Sequence, residues 1–243
     1  MPVDLLTSGT SYTPKASWGI VSCWGGGGGG GGNSQTSADG GGGGGGGAYA
    51  SQVVTGWTVD SAVTYAIGGA GSGGINVTAG TAGGDTTWAS TVVVAKGGQP
   101  GANGSGSTPG TGGAGGLASA STGTRAKFDG GYGCNGRDNS TGRGGWGGSS
   151  AGSEADGYYD GSNPAWTVLS VALYPTGSTP AGAGHGGNGA NVTAGSGSAP
   201  ASGYGGGGGG SSEGTAYSGG AGYQGKIEVY TSPPAFLLCL GCG

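Results

Sequence analysis

Apolar and polar residues alternate in this chain only in short bursts, separated by long stretches that carry no large side chain. Residues 17–24 (Ser17-Trp18-Gly19-Ile20-Val21-Ser22-Cys23-Trp24) predict a β-strand that runs directly into glycine. Residues 58–67 alternate over much of their length and then meet Gly68-Gly69. Residues 87–96 are rich in β-branched side chains and end at Gly97-Gly98. Residues 166–174 are a further strand candidate, and Lys226-Ile227-Glu228-Val229-Tyr230 alternates as a last strand. Period-two alternation bounded by turn residues is the signature of a half-buried strand. No segment of ten or more residues combines helical periodicity with caps, so essentially no α-helix is expected.

Between these bursts lie the glycines. Two runs of eight, Gly25–Gly32 and Gly40–Gly47, are separated by Asn33-Ser34-Gln35-Thr36-Ser37-Ala38-Asp39. Glycine has the most backbone entropy to lose on folding and no side chain to pack. An extended left-handed helix of three residues per turn has no internal hydrogen bonds, so its amides and carbonyls all point outward. Rods of this kind can bond side by side, and only glycine lets them come so close. Eight residues at about 3.1 Å each give a rod of roughly 25 Å. The polar linker would turn the second rod back antiparallel to the first. Gly25, Gly27, Gly32, Gly40, Gly43 and Gly47, with Gly205 and Gly210 in a later run, are the expected scaffold positions. The expected fold class is mainly β and irregular: short strands in a small sheet or sandwich, combined with a bundle of polyglycine II helices.

Composition narrows the alternatives. Glycine fills 72 of 243 positions with only 10 prolines, in contiguous blocks, which excludes collagen. Charged residues are 7%, fewer than disordered chains carry. Apolar residues are 33%, many of them alanine, too few for a conventional core of this length. Stability is therefore expected from backbone bonding, small sheets and burial between subunits. A net charge of −4 offers no basic footprint for nucleic acid. The first residues lack a signal pattern, and no apolar stretch approaches the ~20 residues of a membrane span, so no membrane insertion is expected. The expected organisation is an attachment segment over 1–15, a glycine-rich β/polyglycine domain over 16–230, and an apolar tail over 231–243. That tail, with Phe236-Leu237-Leu238-Cys239-Leu240, suggests docking onto a partner or sister subunit.

Candidate chemistry is sparse. The one histidine, His185, has no acidic or cysteine neighbour in sequence. Asp156 and Asp160 flank Tyr158-Tyr159, with Glu154 nearby; such carboxylates serve glycosidases or calcium, but acids in loops are mostly just solvated. Cys239 and Cys242 form a C-x-x-C without the second pair that a zinc site usually needs. No catalytic residue, metal or cofactor is expected. Binding has more to show. Residues 135–146 carry charges of both signs and end in tryptophan, and residues 153–166 pack three aromatics among acids. Arg137, Asp138, Arg143, Trp146, Asp156, Tyr158, Tyr159, Asp160 and Trp166 are the candidate receptor contacts. Tyrosine and tryptophan give large, rigid contact area at low entropic cost. The other reading of these aromatics is that they fill a small core. Asn76-Val77-Thr78-Ala79-Gly80 recurs as Asn191-Val192-Thr193-Ala194-Gly195; both copies, and Asn139-Ser140-Thr141, also fit the N-glycosylation pattern.

The order of the pieces resembles the glycine-rich domain of bacteriophage tail and tail-fibre proteins. A strand enters a glycine tract at Ile20-Val21-Ser22-Cys23-Trp24-Gly25, and a small-plus-aromatic step follows the second tract at Gly46-Gly47-Ala48-Tyr49-Ala50. A Gly-x-x-x-strand-Gly-Gly unit runs from Gly56-Trp57-Thr58 to Ile67-Gly68-Gly69. Then come Gly84-Asp85-Thr86-Thr87-Trp88, a β-branched strand to Gly97-Gly98, and the closing Gly219-Gly220-Ala221-Gly222 block before Lys226–Tyr230. A more distant similarity is to the tip adhesins of T-even-like long tail fibres. The resemblance covers residues 15–230. It implies a non-enzymatic virion protein of the tail fibre or tail tip that recognises a host receptor through loops on a polyglycine scaffold. The implied partners are other phage tail or fibre proteins, sister copies in a homo-oligomer (a trimer by fibre architecture), and a bacterial surface glycan or outer-membrane protein. Two other readings stand beside it: a purely structural virion protein (fibre joint, tail-tip or capsid decoration component) and a glycine-rich ice-binding protein. The charged aromatic loops at 135–166 disfavour the last, because ice binding wants a flat regular face.

Overall fold

The computed structural model describes residues 3–33, 39–106, 108–137, 143–157, 184–187, 189–190, 195–200, 203–212 and 217–231. Its strands are β1 (Val3–Leu6), β2 (Ser11–Tyr12), β3 (Trp18–Trp24), β4 (Tyr49–Thr55), β5 (Val63–Ala66), β6 (Thr86–Trp88), β7 (Val93–Ala95), β8 (Ala126–Phe128) and β9 (Lys226–Thr231). Among the described residues there is no α-helix, only a single 3-10 turn at Ala118–Ala120. The strands build two antiparallel sheets, a five-stranded one in the order β1-β9-β3-β4-β8 and a four-stranded one in the order β2-β5-β6-β7.

The expected strands at 17–24 and 226–230 are β3 and β9. The stretch 58–67 forms a strand only at Val63–Ala66, because Asp60 turns the chain with φ of 61°. The stretch 87–96 is a hairpin rather than one strand: Ala89 and Ser90 both take positive φ, which folds β7 back on β6. The candidate at 166–174 lies outside the described residues.

The two sheets close on one apolar core. Val21, Cys23, Ala50, Ile227 and Val229 come from the larger sheet, and Tyr65, Trp88, Val93 and Ala95 from the smaller. Trp88 is its centre, with the rings of Tyr12, Trp57 and Tyr65 at 5.6, 5.9 and 6.1 Å. Burial pushes the Cys23 thiol well above its ordinary range, so it sits there as a small apolar group. On the other face of the larger sheet, Trp24, Tyr49 and Ala151 form a second, smaller cluster. Here the Trp24 indole donates to the Ala151 carbonyl at 3.0 Å. Lys226 Nζ lies 4.2 Å from the Trp24 ring centroid and pairs with Glu228 at 2.6 Å. The Tyr230 hydroxyl donates to the other Glu228 oxygen at 2.5 Å.

Beyond the sheets the chain continues as glycine-rich segments with a different bonding rule. Along 25–33 the amides donate in turn to three neighbours. Gly25, Gly28 and Gly31 donate to Ala48, Gly45 and Gly42; Gly26, Gly29 and Gly32 to Gly84, Thr81 and Thr78; Gly27, Gly30 and Asn33 to Tyr223, Gly220 and Tyr217. The partner numbers fall as the donors rise, so all three neighbours run antiparallel. The carbonyls of the same segment accept from three others, which run parallel: 71–74, 98–104 and 208–211. A partner that recurs every third residue is the repeat of an extended helix with three residues per turn.

The second run obeys the same rule. Residues 40–48 donate to 131–137, 205–211 and 96–102, and accept from 110–116, 145–151 and 25–31. The segment 205–212 is likewise surrounded, by 25–31, 41–47, 145–148, 187–190, 195–198 and 220–224. These three segments are mutual neighbours, each bonded on six sides. They are the three longest glycine runs of the chain, and their described residues are all buried. A Cβ built at Gly27 would run into the Gly206 carbonyl, and one at Gly43 into the Trp146 carbonyl. The outer segments have an open side, and there the sequence changes to mixed residues such as Gln99, Thr111 and Tyr132. Side chains take over where a lattice neighbour is missing. The Thr81 hydroxyl accepts from the Ser72 amide at 2.7 Å, and Asn135 Oδ1 from the Gly112 amide at 2.8 Å.

Candidate recognition surface

The bundle has two unlike ends. β3, β5, β7 and β8 each pass directly into a glycine-rich segment, and β4, β6 and β9 each emerge from one. The sheets therefore sit together at one end. About 25 Å away, by eight residues at about 3.1 Å each, the described glycine-rich segments reach their other ends. The chain reverses there at 75–78 and 104–108, and oppositely running segments also end there at Asn33 and Gly40, Arg137 and Arg143, Ala190 and Gly195, and Ser212 and Tyr217.

Three of these places show their construction. At 75–78 the Thr78 hydroxyl accepts from the Ile75 amide at 2.9 Å and donates to the Ile75 carbonyl at 2.7 Å, while Asn76 takes φ of 54°. This clasp leaves Ile75 63% and Val77 44% exposed. At 105–108, Ser105 and Thr108 exchange backbone bonds of 3.0 and 3.1 Å around Gly106, whose φ is 67°. At 137–143 the Arg137 amide donates to the Arg143 carbonyl at 2.9 Å, and the Arg137 carbonyl accepts from Gly40.

The candidate contacts predicted from sequence do not share one surface. Arg137 and Arg143 lie at the turn end, half-buried, level with Gly40. Trp146 is half-buried on a segment beside 40–48, and its carbonyl accepts from the Cys134 amide at 2.7 Å. Asp156 is exposed at the sheet end, where Oδ1 accepts from the Asp129 amide at 2.8 Å, next to β8. Asp138, Tyr158, Tyr159, Asp160 and Trp166 lie outside the described residues, as do Cys239 and Cys242. The scaffold positions Gly25, Gly27, Gly32, Gly40, Gly43, Gly47, Gly205 and Gly210 are all buried and all donate backbone hydrogen bonds between segments. Gly205 departs from the rest with φ of 78°, at the point where its segment begins.

Sequence reasoning missed Ile75 and Val77 as surface residues. The signal was present in the repeated Asn-Val-Thr-Ala-Gly. Its first copy is the clasped turn; its second lies outside the described residues except for Gly195, which accepts from Ser212. Among the described residues no group of three His, Cys, Asp or Glu side chains stands close enough to hold a metal ion, and no helix is long and apolar enough to cross a membrane.

A family model described as a glycine-rich domain matches residues 6–231. No curated protein matches the chain. The matched span starts at the last residue of β1 and ends at the last residue of β9, so it takes in the other eight strands and the glycine-rich segments between them.

Proposed function

We propose, from the premise that this chain belongs to the glycine-rich domain family, that it is a non-enzymatic recognition module of a bacteriophage tail fibre or tail tip. In this reading the glycine-rich segments are polyglycine II rods, and the turn end faces a bacterial surface glycan or outer-membrane protein. The observation that carries it is the polarity of the molecule. β1 and β9, the first and last strands among the described residues, pair with each other in one sheet, so chain arriving at or leaving them does so at the sheet end. The opposite end is a set of turns held by a rigid lattice, the arrangement in which loops carry recognition. Ile75, Val77, Arg137 and Arg143 supply apolar and cationic contact there.

A purely structural role in the virion is the second reading. It is favoured by the half-burial of Trp146 and by the separation of Asp156 from the two arginines. Binding of purified, labelled protein to cells of a candidate host separates the two. Recognition predicts saturable binding that is lost when Ile75, Val77 and 137–143 are replaced together, and kept when 153–157 is replaced. No binding by protein with an intact unfolding transition overturns it in favour of the structural role.

A further inference from the structure

Three asparagines in this chain are followed by glycine: Asn103, Asn135 and Asn188. Asn188 lies outside the described residues. An asparagine before glycine closes on itself more readily than before any other residue, because no side chain screens the next amide nitrogen. Closure needs two freedoms. The glycine amide must leave its own hydrogen bond, and the asparagine side chain must reach that amide. The lattice grants these freedoms unequally to the two described pairs.

Asn135 has neither. Its Oδ1 is turned onto the neighbouring segment, where it accepts from the Gly112 amide at 2.8 Å. The Gly136 amide donates to the Gly110 carbonyl at 2.8 Å, and the chain is held beyond it by the Arg137 amide on the Arg143 carbonyl. Asn103 stands at the end of its segment. The Gly104 amide reaches the Gly32 carbonyl only at 3.3 Å, longer than an N–H···O bond ordinarily runs. The earlier bonds of the same segment, from Gly98 to Gly26 and from Gly101 to Gly29, are both 2.9 Å. Asn103 Nδ2 lies 3.4 Å from the Gly104 carbonyl oxygen, so the side chain already folds over the peptide group that follows it. Past Gly104 comes the turn at 105–108. Exposure ranks the pair the other way, with Asn135 exposed and Asn103 half-buried.

We propose that Asn103 is a site of spontaneous, backbone-driven deamidation at the turn end of the folded protein. The Gly104 amide gives its proton to base in the solvent, and its nitrogen bonds to Asn103 Cγ. The Cγ–Nδ2 bond breaks, and Nδ2 takes up a proton and leaves as ammonia. Water then opens the cyclic imide at either carbonyl, giving aspartate or isoaspartate. The net change is one water consumed and one ammonia released. The product carries a new negative charge. Isoaspartate also adds one carbon to the main chain, but only the last bond of the segment, Gly104 to Gly32, lies beyond it. The bonds from Gly98 and Gly101 stay in register. The site stands independently of the recognition reading.

The test is ageing of the intact protein in mildly alkaline buffer, followed by proteolysis and peptide mass mapping at both positions. In the folded protein Asn103 should convert several-fold faster than Asn135. In guanidinium chloride the two should convert at similar rates, because glycine follows both. Position 103 should yield isoaspartate as well as aspartate. Conversion of Asn135 as fast as Asn103 in the folded state would mean that exposure governs, and would overturn the proposal. So would an intact Asn103 over a period in which the unfolded chain converts. The same ratio of rates in the unfolded chain would assign the difference to local sequence and not to the lattice. Aspartate without isoaspartate would mean direct hydrolysis by water with no ring closure. Either of these results also overturns it.

Discussion

Trp88 and Gly27 are both buried, and they are buried for different reasons. Around Trp88 the two sheets exclude water with side chains: three aromatic rings, valines and alanines fill the space. At Gly27 the atoms that an added Cβ would meet are all backbone. Its amide donates to the Tyr223 carbonyl, its own carbonyl accepts from the Gly71 amide, and the space for a Cβ is taken by the Gly205 and Gly206 carbonyls. The sandwich is stabilised by apolar area removed from water. The lattice is stabilised by satisfying each buried amide and carbonyl, any of which would be costly if left alone. A sandwich can absorb a change of side-chain shape by partial relaxation. The lattice cannot, because an added atom would meet a backbone carbonyl of a neighbouring segment that is itself hydrogen-bonded in place.

That contrast can be broken most forcefully at the centre. Gly27→Val or Gly43→Val should yield no soluble folded protein, read as the loss of any cooperative transition in calorimetry. A soluble variant with the parental transition would mean that the central segments are not packed backbone to backbone. Trp88→Ala should leave a folded protein weakened by about 3–5 kcal/mol, the usual cost of emptying a large aromatic site, measured by urea unfolding. If it lost all structure instead, the lattice would depend on the sandwich. The third change should reverse sign. Gly69 is exposed, and a Cβ built there meets nothing within 4 Å. Gly69→Ala should therefore stabilise by about 0.4–1 kcal/mol by stiffening the unfolded chain. Destabilisation there would show that glycine is demanded at the rim as it is at the centre.

The smallest effect concerns the sheet alone. Burial first, then the bond to Glu228, pushes the Tyr230 phenol up to about 12, against about 10 in an unfolded chain. The protonated form is thus favoured by folding. Its contribution is complete below pH 10 and is lost as pH rises through 12. Tyr230→Phe should flatten the fall in stability between pH 10 and 12; an unchanged profile would remove Tyr230 as its cause.

Much of the lattice was legible in the sequence because its rule is local. The middle of a segment bonded on six sides leaves no room for a Cβ, so the longest glycine runs mark the central segments; Asn33, Ala48, Ser211 and Ser212 stand only at their ends. β3 and β9 were legible from alternation. β1, β2 and β8 were not, because two to four residues carry too little pattern and their pairing comes from distant chain: Val3 lies opposite Tyr230, and Ala126 opposite Ser51. β4 was hidden for a different reason. Tyr49, Ala50 and Ser51 are all buried, so its first half does not alternate. The candidate surface was legible only in part. Spacing along the chain showed which stretches were polar and aromatic, but the end of the bundle each one occupies depends on how many times the chain has reversed before it.

The lattice also changes how this molecule responds to temperature. Unfolding an ordinary domain exposes mostly apolar surface, which raises the heat capacity and curves the stability steeply on both sides of its maximum. Unfolding the segments 25–33, 40–48 and 205–212 exposes chiefly peptide groups, whose hydration lowers it. The heat-capacity increment per residue will fall below the usual value of about 12–15 cal/mol/K. A flatter curve follows, with cold weakening this protein less than it weakens a conventional core.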